Sequence, residues 1–332
     1  MQLTLGASMF SSKILRLAPW LLLCCLVAGV AHAQDGYPSR SVTLVQGFGA
    51  GGNGDTIARI VAEPLASRLG QPVVVEGRTG AGGSNASAFV ARAAPDGHTL
   101  ILFTGGHAVS AALYKSLPFE PVDDFQMLST VGFAAFVIAV RKDSPITSLP
   151  ALIAAAKADP GKLTYSSVGV GSTQHLAGEL LCSLADIKMT HVPYRGGNAP
   201  MTDLLGGRID VMIDTITVVK PQIDGGTVRA LAVTSPKPWW SLPEIPPVAE
   251  TVPGYDVQTW FGVAAPKGLP EPIVRKLSAD LVAALDVPAV RGRLQAIGLD
   301  VRSSSPDAMR EHITAEIAKW KKVVSEAQVA QQ

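Results

Sequence analysis

"GFGAGGNGD", Gly47 to Asp55, places five glycines in nine residues, directly after the apolar run "SVTLVQ" at 41–46. Gly47, Gly49 and Gly52 match G-x-G-x-x-G, and Glu76 in "VVVEGR" stands about one strand further on, the outline of a dinucleotide fingerprint. The β-branched run before the loop reads as a strand, and "DTIARIVAEPLASRLG" after it reads as a helix. There Ile57, Ile60, Val61, Leu65 and Leu69 recur at helical spacing, with Asp55 able to cap the start and Gly70 the end. Pro64 lies inside that helix and predicts a kink or a shortened first half. A strand, glycine loop and helix in this order suit a nucleotide phosphate. They equally suit any small anion that backbone N–H groups at a helix N-terminus can hold.

The same unit recurs along the chain. "QPVVVEG", "RTGAGGS" and "NASAFVARAA" read as strand, glycine loop and short helix, and "HTLILFTGG" as a third strand. Beyond residue 160, "KLTYSSVG", "VGSTQ" and "HLAGELLCSLA" repeat the scheme, followed by "KMTHVPY", "RGGNAP", "MTDLLGG" and "IDVMIDT". The pattern repeats without residue-level identity. Strands alternating with helices predict two parallel-sheet α/β units, whose ligands sit beyond the carboxyl ends of the strands. "FAAFVIAVRK" and "VQTWFGVAAPK" flank the second unit and read as crossover strands, so that the second lobe is inserted into the first. The C-terminal part is helical. In "SPDAMREHITAEIAKWKKVVSEA", Met309, Ile313, Ile317, Trp320 and Val324 form one buried stripe.

The N-terminus places the chain outside the cytoplasm. Lys13 and Arg16 precede "LAPWLLLCCLVAGVA", and "AHA" at 31–33 precedes Gln34, the pattern of a secretory signal peptide over residues 1–33. The apolar run is too short to span a bilayer. Export of this kind predicts a periplasmic protein that folds after translocation, without a cofactor loaded in the cytoplasm. Removal of 33 of the 332 residues takes two of the 28 basic residues and none of the 27 acids, turning a formal charge of +1 into −1. A near-neutral chain has no electrostatic footprint for nucleic acid or an anionic membrane. Two of the three cysteines leave with the leader, and Cys182, among apolar helix positions, reads as a buried thiol.

Signatures of catalysis are missing. Gly52 is followed by Asn53 and Gly54 by Asp55, so the Gly-Lys-Ser/Thr ending of a P-loop is absent, as is G-x-S-x-G. His98, His107, His175, His191 and His312 form no metal-ligand spacing. His107 and His175, beside glycine loops, are the two worth keeping as candidates. No lysine or arginine lies in the opening loop or in "TGGHAV", so an anion there would be held by neutral donors.

"YPSRSVTLVQGFGAGGNGDTIARIVAEPLASRLGQPVVVEGRTGAGG", "ARAAPDGHTL", "ALYKSLPFEPVDDF", "HVPYRGG", "DLLGGRIDVM", "VRALAVTS" and "WFGVAAPKGLP", in this order, closely resemble the extracytoplasmic solute receptors of tripartite tricarboxylate transporters, the Bug family. The likeness covers nearly all of the chain after the leader. It implies a type II periplasmic-binding-protein-like fold, with two α/β lobes joined by crossover strands around a ligand cleft. The expected lobes are 34–138 with 255–332, and 139–254. It also implies a monomeric, non-enzymatic receptor without cofactor or metal, which captures a small carboxylate and passes it transiently to membrane permease subunits. Carried over by position, Phe48, Ala50, Gly51, Gly52, Asn53 and Asp55 would hold one carboxylate, with Thr104, Gly105 and His107 lining the same lobe. Gly171, Ser172, Thr173, Tyr194, Gly196 and Asp214 would close from the second lobe. The chain departs from the family's usual Pro-Phe-Pro before Ala-Gly-Gly, having Gly47-Phe48-Gly49, and it has Asn53-Gly54 where a threonine usually precedes the aspartate. The reading of a different class is a periplasmic nucleotide-dependent oxidoreductase using the glycine-rich loop.

Overall fold

The computed structural model describes residues 36–326 as a continuous chain; the expected signal peptide lies outside the described residues. "SVTLVQ" forms β1 (Val42–Gln46), and the glycine loop leads into α1 (Asn53–Leu69). The five spaced apolar residues of α1 are all buried, and Gly70 ends it in the left-handed conformation, its N–H on the Ala66 carbonyl. Pro64 neither breaks nor shortens this helix, which runs through it from Asn53 to Leu69. Pro64 is half-buried, and the one backbone bond it removes, to the Ile60 carbonyl, is lost without interrupting the helix.

The chain continues through β2 (Val73–Gly77), α2 (Ser84–Ala91), β3 (Thr99–Thr104) and α3 (Gly106–Leu113) to the long strand β4 (Phe125–Arg141). The second half comprises α4 (Leu149–Ala158), β5 (Thr164–Ser167), α5 (Thr173–Ala185), β6 (Thr190–Pro193), α6 (Ala199–Leu205), β7 (Val211–Thr215), α7 (Ile216–Asp224), β8 (Val228–Val233) and α8 (Val248–Thr251). The return is made by β9 (Gln258–Pro266), α9 (Glu271–Leu285), α10 (Pro288–Ala296), β10 (Asp300–Val301) and α11 (Pro306–Glu326).

The strand order is β2-β1-β3-β9-β4-β7-β5-β6, with β8 and β10 also pairing β4. β1 lies between two parallel neighbours, Leu44 standing opposite Val75 on one side and Leu100 on the other. β5 is likewise parallel to β6 and β7. The two α/β halves meet on β4, which changes partners along its length. Up to Ala135 it pairs with β9, and from Phe136 onward with β7 and β8. Its near-continuous burial follows from lying inside both halves. β9 lies in the first half between β3 and β4, Gln258 opposite Ala135, and is entered from the second half, where the Val257 N–H donates to the Thr234 carbonyl. The stretch 257–267 thus crosses between the halves as expected.

Four of the five stripe residues of α11, Met309, Ile313, Trp320 and Val324, are buried and Ile317 is partly so, and the stripe serves two cores. Met309 and Ile313 pack with Phe103, Phe125 and Trp260 of the first half. Trp320 and Val324 pack in a cluster holding Leu113 of α3 together with Tyr165, Leu176 and Leu181 of the second half. Among the described residues, no helix is long and apolar enough to cross a membrane.

Candidate ligand cleft

The loops at the carboxyl ends of the strands face one another across the two halves. Gly49 forms a parallel β-bridge with Gly196, joining the opening glycine loop to the loop after β6. The loop after β2 meets the loop after β5, where Gly82 lies against Gly171 and Ser172. From α3, the Ser110 hydroxyl donates to the Gly171 carbonyl and the Tyr114 hydroxyl to that of Val170, both at 3.3 Å. Thr173 faces Gly105, its Oγ1 lying 3.1 Å from where a Gly105 β-carbon would stand. The halves are therefore closed on each other.

Within Gly47–Asp55 the backbone is held by its own neighbours. The Phe48 N–H donates to Gln46 Oε1 at 2.8 Å, that of Gly51 to Asp55 Oδ2 at 3.0 Å, and that of Gly54 to Asn53 Oδ1 at 2.6 Å. The Gly52 N–H donates to the Gly49 carbonyl at 3.2 Å. Asp55 does not cap α1 as the sequence suggested, because the helix already starts at Asn53, with Gly52 at its N-terminal cap position and no side-chain cap there. From inside the first turn Asp55 Oδ2 reaches back to the Gly51 amide and also accepts from Arg59 Nε at 3.0 Å. The amides of Asn53 and Asp55 themselves have no acceptor among the described residues. Both lie in the first turn of α1, where the helix dipole favours an anion. Phe48 is buried, its ring beneath Gly83 and Gly106, so it forms the floor under this loop. Ala50, Gly51 and Gly52 lie at the rim, where Gly51 meets the Asn198 side chain and Gly52 the Gly197 backbone.

On the same half, Thr104 Oγ1 accepts from the Gly106 N–H at 3.3 Å, and the Gly105 N–H donates to Thr259 Oγ1 at 3.1 Å. His107 lies deeper. Its Nε2 is 2.7 Å from the Pro121 carbonyl and so donates; Nδ1 then accepts from the Ser87 hydroxyl at 3.1 Å. The ring stacks on Phe103 at 3.9 Å, and burial pushes its pKa down to about 4. With both nitrogens engaged inside the lobe, its role is to support the loop from below.

On the second half, Ser172 caps α5 by accepting from the His175 N–H at 3.3 Å, and Thr173 is buried beside it. Tyr194 lines the groove between the halves with its hydroxyl tied: it donates to Asp203 at 2.6 Å, and Arg208 Nε holds the other oxygen at 2.7 Å. Gly196 remains at the interface through its bridge to Gly49. Asp214 is buried at the end of β7, where desolvation raises its carboxyl to about 6 against the pull of the Thr215 and Gln174 donors. His175 stacks on His191 within the second half, and its lowered pKa also reflects burial. Arg195 is exposed on an open groove of about 550 Å³ between the halves, which Thr79 and Asn85 line from the other side. Gln46, Ser110, Tyr114, Gln174 and Asn198 are the contributors that sequence patterning missed. Nothing in their local sequence distinguishes them, because their roles arise from partners in other elements.

The dinucleotide outline finds no support in this geometry. The second half covers the loop at Gly49 and Gly52, where a pyrophosphate would have to approach. Glu76 is paired with Arg78 at 2.7 Å, and the Arg78 guanidinium lies over Phe89. Cys182 is half-buried with its thiol pushed up to about 11 by burial, which makes it a poor nucleophile. Among the described residues, no group of three or more His, Cys, Asp and Glu side chains could hold a metal.

The model of the tripartite tricarboxylate transporter family receptor matches residues 57–329. This chain belongs to that receptor family. Three solved structures share its fold at full length. The periplasmic binding protein BugD is 36% identical, with a TM-score of 0.86 over 89% of this chain and 100% of that one. Rpa4515 of R. palustris, solved with adipate, is 37% identical, with a TM-score of 0.85 over 89% and 99%. MatC of Rhodopseudomonas palustris, with bound malate, is 34% identical, with a TM-score of 0.83 over 87% and 100%. The receptor family accounts for the fold expected from the sequence: type II, two α/β lobes, loops facing across a cleft.

Proposed function

We propose that this receptor works in the periplasm, where it captures a small organic carboxylate unchanged and hands it to the permease subunits of a tripartite tricarboxylate-type transporter. In this reading it acts as a monomer, without cofactor or metal, and its lobes are 34–138 with 255–332, and 139–254. The observation that carries it is the free pair of amides at the start of α1, Asn53 and Asp55, standing opposite a second lobe that closes on the same loop. Hydrogen bonds to a charged group contribute about 1.5–3 kcal/mol each, and micromolar binding needs about 8 kcal/mol net. Two amides alone fall short, so donors from the second lobe complete the site. In this reading Ser172 and Thr173 supply those donors, whereas the tethered Tyr194 and the enclosed His107 act through packing.

Rpa4515 with adipate and MatC with malate make dicarboxylates the first ligands to try. Purified protein, cleared of bound ligand, is screened by thermal shift against adipate, malate, succinate, acidic amino acids and aromatic carboxylates. A true ligand at 100 times its Kd adds about 2.7 kcal/mol of stability. Mass spectrometry of the released ligand should recover it unchanged. An unmoved midpoint across the whole panel sinks the carboxylate reading, and a recovered product sinks the non-enzymatic one.

A further inference from the structure

The second lobe buries an acid that has no counter-charge. Asp214 is 3% exposed at the end of β7, opposite Val137 on β4, just after the point where β4 changes halves. Its Oδ1 accepts from Gln174 Nε2 at 3.1 Å, from the Thr215 N–H at 2.7 Å and from the Thr215 hydroxyl at 3.4 Å. All three bonds fall on one oxygen. Among the described residues nothing donates to Oδ2, and no lysine, arginine or histidine forms an ion pair with this carboxylate. Gln174 follows Thr173, the residue that faces Gly105 of the first lobe, so the acid stands directly behind the closing surface.

The charge does nothing for the fold. An amide oxygen would accept the same three hydrogen bonds, and a buried carboxylate without a cation is costly where an amide is not. In a cleft meant for anions it is also repulsive to an approaching carboxylate. Repulsion turns to attraction when the ligand itself brings an N–H or O–H to the unsatisfied oxygen.

Resting on the carboxylate-receptor reading above, we propose that Asp214 is a specificity-determining residue whose Oδ2 accepts a hydrogen bond from a donor group carried by the ligand beside a carboxylate. Hydroxy- and amino-substituted dicarboxylates are then preferred over their unsubstituted counterparts. Gln174 is the positioning residue, holding Oδ1 so that Oδ2 stays free.

The test is isothermal titration with succinate, malate and aspartate at pH 7.5, on the wild-type chain and on Asp214→Asn. The three ligands share one carbon skeleton and differ in carrying no donor, a hydroxyl or an ammonium group. A hydrogen bond to a charged group predicts that malate or aspartate binds roughly tenfold to a hundredfold more tightly than succinate. Asp214→Asn should bring the ratio within about threefold of unity while succinate affinity holds or improves. The malate and aspartate arms separate a hydroxyl from an ammonium partner. Asp214→Ser serves as a second neutral variant should the asparagine form not fold. Equal wild-type affinity for all three, or a preference that survives both neutral variants, overturns the assignment. If no carboxylate binds at all, the receptor reading falls and takes this assignment with it; if succinate binds and no preference exists, only the assignment falls.

Discussion

Gly82 faces Gly171 across the cleft so closely that a β-carbon on Gly82 would stand 2.7 Å from the Gly171 carbonyl. Its φ of 61° adds a conformational cost for any other residue. Gly82→Val should therefore leave each lobe folded while preventing their approach. Ligand affinity should fall by tenfold or more, on the order of 1.4 kcal/mol, and small-angle scattering should show a radius of gyration that no ligand reduces. Wild-type affinity in this variant would mean that closure at Gly82 is not needed for binding.

Two hydroxyls of α3 reach into the second lobe. Ser110→Ala and Tyr114→Phe each remove one donor to the loop that precedes α5. Each should weaken binding by about 0.5–1.5 kcal/mol, a few-fold to tenfold, because the bonds exist only when the lobes are together. Urea denaturation of the unliganded protein should change little. A large loss of unliganded stability would place these bonds in the fold, not in closure.

Asp55 ties the glycine loop through the Gly51 amide and Arg59. Asp55→Ala removes a charged acceptor from the Gly51 amide and should cost about 1.5 kcal/mol, read as a lower urea midpoint at unchanged slope. Because the loop loses its internal anchor, ligand affinity should fall as well. An unchanged midpoint would show that the tie is dispensable.

Acid pH should act on this protein through buried groups with opposite signs, the histidines His107, His175, His191 and His312 on one side and Asp214 on the other. His107 has its pKa lowered from 6.5 to about 4, so between those values the unfolded chain binds the extra proton and stability is lost as pH falls. Asp214 has its pKa raised from 3.8 to about 6, so the folded chain binds the extra proton and stability is lost as pH rises through that range. Each shift corresponds to about 3 kcal/mol at full extent. His107→Gln should lessen the loss of stability between pH 6.5 and 4, the remainder coming from the other buried histidines, His191 above all with its pKa also lowered to about 4. Asp214→Asn should raise the unliganded melting temperature at pH 7.5. Thermal scans from pH 4 to 8 on both variants check these slopes; a lower melting temperature for Asp214→Asn at pH 7.5 would contradict the uncompensated charge.

Local patterning in the sequence was enough for the first strand, loop and helix. Ile57 to Leu69 repeat on one face, and Gly70 supplies the left-handed end that such a helix needs. It was not enough for α3, because "GHAVSAAL" is short and almost uniformly small or apolar, with no polar face to reveal a period. Pro64 did not shorten the helix, since one missing bond does not end a helix whose apolar face is buried on both sides of it. The stripe on α11 was legible as a buried face but not as a link between two cores, because periodicity reports that a face is buried and not what buries it. The site was legible as a set of loops, while the availability of each group was not. Whether His107 is open to a ligand depends on Ser87 and Pro121. Whether Gly51 can donate depends on Asp55.

Helix α11 has a consequence for how the receptor opens. Met309 and Trp320 are seated in different cores, so this helix works as a strut laid alongside the β4 crossover. Parting the lobes then disturbs the cluster that Trp320 and Val324 share with α3 and α5 as well as the crossover strands.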